Sequence, residues 1–325
     1  MRSPLVAAQF LDRIPLPARG TCVVAAPLFH GTRLTQFLIS LALGTTNILV
    51  GKFDAERVLS LIDEFSATTV VLVPTMLGRI LGLGDEVLDR YDTSSVSVMF
   101  CAGSALPVCV AESAAERFGP VLYNLYGWSE VGVAAVATPD DLAEAPGTVG
   151  RPPATSVVRL YGPGDRPITA PDEPGTIYGG GLLSFKGYSG GGHKKTIDGL
   201  LSSGDIGHWD AHGRLFIDGR DDDMIVSGGE NVFPGEIEEL LYAHPDIAEA
   251  AIAPVPDADF GQRLAAYVVR AEGSAIDADA VRHYVKARLA RYKVPRDVVF
   301  VDALPRSSLG KLLRRELLET PGDGA

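Results

Sequence analysis

An α/β fold is what these 325 residues predict: a mostly parallel, helix-covered sheet, a small β-rich subdomain, and a separate α+β unit at the C-terminus. Three observations carry that prediction. Short β-rich runs alternate with helically spaced segments along the first part of the chain. Gly and Pro become dense from about Gly147. Helix, strand and strand patterns then follow one another over the last part of the sequence.

In the first part, Cys22–Ala26, Thr69–Val73, Val96–Cys101 and Val121–Asn124 read as strands bounded by Gly, Pro or polar residues. Ile48–Val50 reads as a further strand after the helix that follows His30. Ala55–Phe65 and Val108–Phe118 carry helical spacing, with Asp54 as N-cap of the first. Strands alternating with helices call for a parallel sheet covered on its faces. The β-rich subdomain, about 147–219, holds Ser156–Tyr161, Gly175–Tyr178 and Arg214–Ile217, and Met224–Val226 follows beyond Gly219–Asp223. The last domain opens with Pro234 at the start of a helix over Glu236–Tyr242. Strands Ile247–Ala253 and Leu264–Val269 follow. Val281, Val285 and Leu289 share one face of a helix over Asp277–Ala290, and Leu312–Leu318 is a short terminal helix. Roughly the last hundred residues thus read as a separate unit.

The composition is ordinary for a globular protein, at 46% hydrophobic and 22% charged. With 29 basic against 41 acidic residues the net charge is −12, and no basic run stands out, which argues against a nucleic-acid partner. Cys22, Cys101 and Cys109 form neither a CxxC pair nor a disulfide framework. They read as reduced, buried thiols of a cytoplasmic protein. No apolar run is long enough to span a membrane, so lipid substrates would be met only at a membrane surface.

Several strings carry chemistry. Tyr123–Glu130 reads Y-N-L-Y-G-W-S-E: an aromatic ring and a glycine admit a planar base, and a hydroxyl and a carboxylate beyond them suit a phosphate and its Mg²⁺. Gly103, Ser104 and Ala105 lie in a small-residue turn, A-G-S-A-L-P. Asp205 stands alone on a Gly-Asp turn, where an acceptor-only carboxylate can hold sugar hydroxyls. Arg220 follows the strand Leu215–Ile217, then Asp221–Asp223 and the loop Ser227–Asn231, S-G-G-E-N. Lys311 ends the segment P-R-S-S-L-G-K; a compact ammonium on a flexible stem can bridge a carboxylate and a phosphate.

Taken together, these strings resemble the adenylate-forming (AMP-binding) enzymes, most closely fatty acyl-CoA ligases. The match extends through Y-K-V-P-R at Tyr292–Arg296 and G-K-L-L-R-R-E-L at Gly310–Leu317. The resemblance implies ATP and Mg²⁺, with CoA as co-substrate, and a small carboxylic acid, a fatty acid, as substrate. It places Gly103, Ser104, Ala105, Asn124, Tyr126 and Gly127 around adenine, and Ser129 on phosphate. It also places Glu130 on the metal, and Asp205 and Arg220 on ribose and phosphate. Lys311 becomes the catalytic residue, and Asp222 the hinge between a partial large domain, 1–221, and a mobile α+β C-terminal domain, 222–325. Gly228, Gly229 and Glu230 become the CoA tunnel, and His30, in A-P-L-F-H, an acyl-pocket residue.

One part of the family pattern has no counterpart. The phosphate loop S-G-T-T-G-x-P-K-G should precede A-P-L-F-H, and nothing before Ala26 resembles it. Gly44–Thr46 with Gly51–Lys52 comes after His30 and lacks the second Gly and the Pro. The expectation is therefore a truncated large domain with impaired adenylation. An aryl-CoA ligase or another adenylate-forming enzyme stays open, as does a non-catalytic nucleotide- or acyl-binding remnant. Two further strings read as structural: Gly187–His193 has His193 where a P-loop needs Lys, and His208 and His212 sit in a turn rather than on a zinc helix.

Overall fold

A computed structural model describes residues 11–28, 31–181, 184–190, 192–227, 230–257, 261–306 and 312–317. It divides into two compact units. The first comprises 1–203 with 207–217, the second 204–206 with 218–325.

The first unit opens on the expected α/β sheet. Its strands are β1 (Thr21–Val24), β2 (Thr46–Leu49), β3 (Thr69–Leu72), β4 (Val98–Ala102), β5 (Leu122–Trp128) and β6 (Gly132–Ala137), in the order β2-β1-β3-β4-β5-β6. The first five are mutually parallel, and β6 returns antiparallel. Every residue of β3 and β4 is buried, as continuous apolar runs covered on both faces should be. β2 is an edge, and Leu49 on it is exposed.

Helices fill the crossovers: α1 (Gly31–Ala42), α2 (Ala55–Glu64), α3 (Pro74–Leu81), α4 (Val108–Phe118) and the short α5 (Pro139–Glu144). Asp54 caps α2 as expected, accepting from the Arg57 amide at 2.8 Å, a contact that contributes about 1 kcal/mol. Its apolar face buries Val58, Leu59, Leu61 and Ile62. By contrast, α1 is turned inside out. Arg33, Gln36 and Ser40 are buried, while Leu34, Leu38 and Leu41 are 43%, 54% and 51% exposed.

Two features differ from the sequence reading, and a third adds to it. The strand expected at Val121–Asn124 runs on to Trp128 and, through a turn at Ser129–Val131, forms a β-hairpin with β6. The buried run Val133–Ala137 supplies the return strand. Cys22 and Cys101 are buried free thiols, but Cys109 is only half-buried, on the outer side of α4. Asp141, 3% exposed, gathers Arg13 at 2.6 Å and Arg151, and forms a capping box with Thr138. A buried carboxylate held by two arginines is satisfied by charge-assisted bonds, and it ties segments remote in sequence.

The β-rich part follows: β7 (Ser156–Tyr161), β8 (Pro167–Ile168), β9 (Gly175–Gly181), β10 (Thr196–Ile197), β11 (Leu200–Trp209) and β12 (Leu215–Arg220). Its order is β10-β11-β9-β7-β8, with β12 on β11. Leu160, Ile168, Ile177 and Leu215 form its core with Ala135.

The second unit carries a β13 (Ile225–Ser227) and β14 (Glu230–Val232) hairpin, α6 (Pro234–Tyr242), β15 (Ile247–Asp257), β16 (Gly261–Arg270), α7 (Ala278–Lys286), β17 (Asp297–Phe300) and α8 (Arg314–Leu317). β15 and β16 are antiparallel, and β17 lies parallel to β16. The sequence reading lacks β17, a four-residue strand too short to show a period. Ile225, Ile237, Leu241, Ile252, Leu264, Val281 and Val285 make an independent core. Among the described residues no helix is long and apolar enough to cross a membrane.

Candidate active site

The first unit brings one group of expected residues to the β5–β6 hairpin. Asn124 is buried on β5 beside Cys101 of β4. Tyr126 is half-buried, its ring 5.8 Å from that of Trp128. Gly127 is required by the hairpin itself: a Cβ there would stand 1.9 Å from the Gly132 carbonyl oxygen. Close approach of a base is thus not its sole demand. Ser129 is exposed in the turn, and Glu130 follows it.

Glu130 is held from a segment the sequence reading dismissed. Tyr188 donates its hydroxyl to Glu130 Oε1 at 2.6 Å, and Lys194 Nζ lies 3.6 Å from the same atom. Burial pushes the Glu130 pKa up, but the Tyr188 hydrogen bond, a backbone donor and Lys194 outweigh it and hold the carboxyl below its usual value. Tyr188 is raised in turn by that hydrogen bond. No spacing in the sequence links positions so far apart.

The turn after β4 carries Gly103, Ser104 and Ala105, all exposed. Gly103 has φ +106, and a Cβ on it would meet Arg33 Nη2 at 2.6 Å. Arg33 is a site-lining residue that sequence reasoning missed, since a single sequence does not reveal that a charge is buried.

In the second unit Asp205, Arg220 and Asp222 form one ionic cluster. Arg220 Nη1 lies 3.3 Å from Asp205 Oδ1, and its Nε and Nη2 reach the two oxygens of Asp222 at 2.7 and 3.2 Å. The Asp222 hydrogen bond, above all, raises the Arg220 pKa against its burial. Asp222 is exposed in a 3-10 turn over Asp221–Asp223. Just beyond, Asp223 pairs with Arg314 at 3.4 Å, and Arg314 also holds Glu238 of α6 and the Ile252 carbonyl. Glu230 is exposed at the start of β14. His30, Gly228, Gly229 and Lys311 lie outside the described residues; Arg306 and Leu312, on either side of Lys311, are bridged antiparallel.

Of the two histidines expected in a turn, His212 lies in one, whereas His208 is on β11. His208 stacks on Phe216, and the His212 amide donates to Asp210 in a turn. Among the described residues no group of three or more His, Cys, Asp or Glu is placed to hold a metal. Two surface hollows of about 410 and 430 Å³ are lined by none of the candidate residues.

Comparison with known proteins matches residues 5–189 to the AMP-binding enzyme family and residues 236–311 to the AMP-binding enzyme C-terminal domain. A feruloyl-CoA synthase from an Amycolatopsis species is 37% identical over 91% of this chain and 60% of its own length. A long-chain-fatty-acid–CoA ligase of Bacillus subtilis is 35% identical over 90% of this chain and 53% of its own. The o-succinylbenzoate CoA synthetase of Bacillus subtilis, solved with its acyl-adenylate intermediate, superposes with a TM-score of 0.86 at 28% identity. That likeness covers 98% of this chain and 64% of the other. The chain thus spans less than two thirds of the length of these relatives.

Proposed function

The chain belongs to the AMP-binding enzyme family, and from that premise we propose that it serves ATP-dependent activation of a carboxylic acid and transfer of the acyl group to coenzyme A. The observation that best supports this is the Asp205–Arg220–Asp222 cluster, which brings together the three residues assigned here to ribose, phosphate and hinge. In the first step a carboxylate oxygen attacks the α-phosphorus of ATP and pyrophosphate leaves. In the second the CoA thiol attacks the acyl carbon, AMP leaves with the bonding pair, and the thiol proton passes to solvent.

The residues divide this work. Asp205 accepts from the ribose hydroxyls, and Arg220 turns from Asp222 toward phosphate. Tyr126, Gly127, Asn124 and the Gly103–Ala105 turn hold adenine, and Ser129 donates to phosphate. Glu130 fits a nucleotide-borne Mg²⁺, an ion that takes one or two carboxylates and fills its shell with phosphate and water. When bound, that ion neutralises phosphate charge. Lys311 is assigned to the carboxylate and α-phosphate, where positioning and electrostatics do most of the work. Asp222 is assigned the hinge role, absorbing dihedral change between half-reactions. Gly228, Gly229 and Glu230 are assigned to pantetheine.

The acid is a finer matter. The sequence strings favour a fatty acid, and an aryl acid is the second reading, since feruloyl-CoA synthase and the long-chain-fatty-acid–CoA ligase differ in the acid they name. Incubation with ATP, Mg²⁺, CoA and a panel of fatty, aryl and dicarboxylic acids, read by mass spectrometry, tests the proposal. At least one acid should give acyl-CoA and AMP in equal amounts. Asp205→Asn should weaken AMP binding about tenfold, the loss of one charged hydrogen-bond partner. No thioester from any acid would count against the reading.

A further inference from the structure

Arg33 is a charge in the first unit without a structural explanation. It lies in the first turn of α1 and is only 4% exposed. Its Nη2 donates to the Ala102 carbonyl at 3.3 Å, and its buried Nε has no hydrogen-bond partner among the described residues. Among the described residues no carboxylate pairs with it; the neighbouring charge-bearing group is Cys101. Burial pushes that thiol up to about 12, so it is uncharged at neutral pH and supplies no counter-ion. Removing a guanidinium from water without a counter-ion is costly, and arginine does not shed its proton to escape that cost.

The position of Arg33 is as informative as its burial. Open α/β sheets bind ligands beyond the carboxyl ends of their strands, where the strand order reverses. Here the order β2-β1-β3 reverses between β1 and β3. α1 follows β1, and the Arg33 guanidinium reaches the turn after β4, beside Val73 at the end of β3. The N-terminal turn of a helix such as α1 favours an anion at the same end. One turn further, Gln36 is fully buried with its Oε1 unpaired. A long apolar chain against this face would leave both orphaned groups unanswered.

We propose that Arg33 selects the acid: its guanidinium binds a second carboxylate, so the preferred substrate is a dicarboxylic acid rather than a fatty acid. The inference rests on reading the chain as a carboxylic-acid ligase. It adds a substrate class to that reading.

A ligand-observed NMR titration of the full chain tests it, with adipate and hexanoate as diacid and monoacid of equal length. Adipate should bind about tenfold tighter or more, as a charge-assisted contact implies. Arg33→Met should bring the two acids within about twofold of each other, and Arg33→Lys should keep part of the preference. If a variant fails to fold, as read by thermal melting, the ratio in the native chain decides. Equal binding of both acids, binding of neither, or an unchanged preference in a folded Arg33→Met variant would each overturn the proposal. Equal binding that Arg33→Met weakens for both acids alike would assign the residue to the reacting carboxylate instead. Pyrophosphate exchange separates this result from the ligase reading. An Arg33-dependent adipate preference without exchange retains the site and removes the enzyme. Exchange with monoacids, indifferent to Arg33, does the reverse.

Discussion

At the scale of single residues, chemistry was legible where a residue type announces its task, and hidden where the environment sets it. Asp205 and Arg220 stand out in the sequence as a lone acid and a lone cation; the structure places Asp205 within β11 rather than on a turn and joins it to Arg220, at the end of β12, at 3.3 Å. Tyr188 and Lys194 gave no such signal. Their importance comes from reaching Glu130 across the fold. The Glu130 carboxyl lies below its usual pKa, so the charged form is favoured in the folded state. Stability from such a group is present above its unfolded pKa and is lost as pH falls through the lower folded one. Tyr188→Phe should therefore destabilise the protein at neutral pH, and the gap should close as pH drops below the usual glutamate range. Urea melts of both proteins at pH 7 and pH 3 check this. A gap that persists unchanged at pH 3 would show that Tyr188 acts through packing.

At the scale of elements, periodicity found strands and helices whose burial is uniform and missed those that break their own pattern. β3 and β4 are continuous apolar runs and were readable as central strands. The β5–β6 hairpin was not, because Tyr123–Glu130 carries the polar and aromatic residues of a site, and these obscure strand alternation. α1 was expected as the helix after His30, but its inward face was not, because its arginine, glutamine and serine are the buried residues. The hairpin makes a sharp demand on one residue. Gly127→Ala would drive a methyl into the Gly132 carbonyl, and we expect a loss of about 2–4 kcal/mol, since backbone must shift to relieve it. Chemical denaturation measures that loss. A change within about 0.5 kcal/mol would mean that the hairpin opens more easily than its geometry implies.

At the scale of the whole molecule, the chain divides into two units with separate cores, and the change of texture near Gly147 falls inside the first, where the parallel sheet gives way to the β-rich part. The first unit is built on a mostly parallel sheet whose order reverses, and the second on a small mixed sheet with helices. Pattern reading finds such architecture because alternation of strand and helix is a property of long stretches. It did not reach Arg33, because which side chains converge at a switch point depends on packing between segments far apart. Membership of the AMP-binding enzymes fixes the kind of chemistry to test, while the acid depends on side chains particular to this chain. The most direct measurement is isotope exchange between pyrophosphate and ATP, catalysed by the purified chain with and without added acid. Exchange should require a carboxylic acid and should be greatest with a diacid that Arg33 can hold. Exchange that proceeds without acid, or that no acid elicits, would contradict carboxylate activation as the function of this fold.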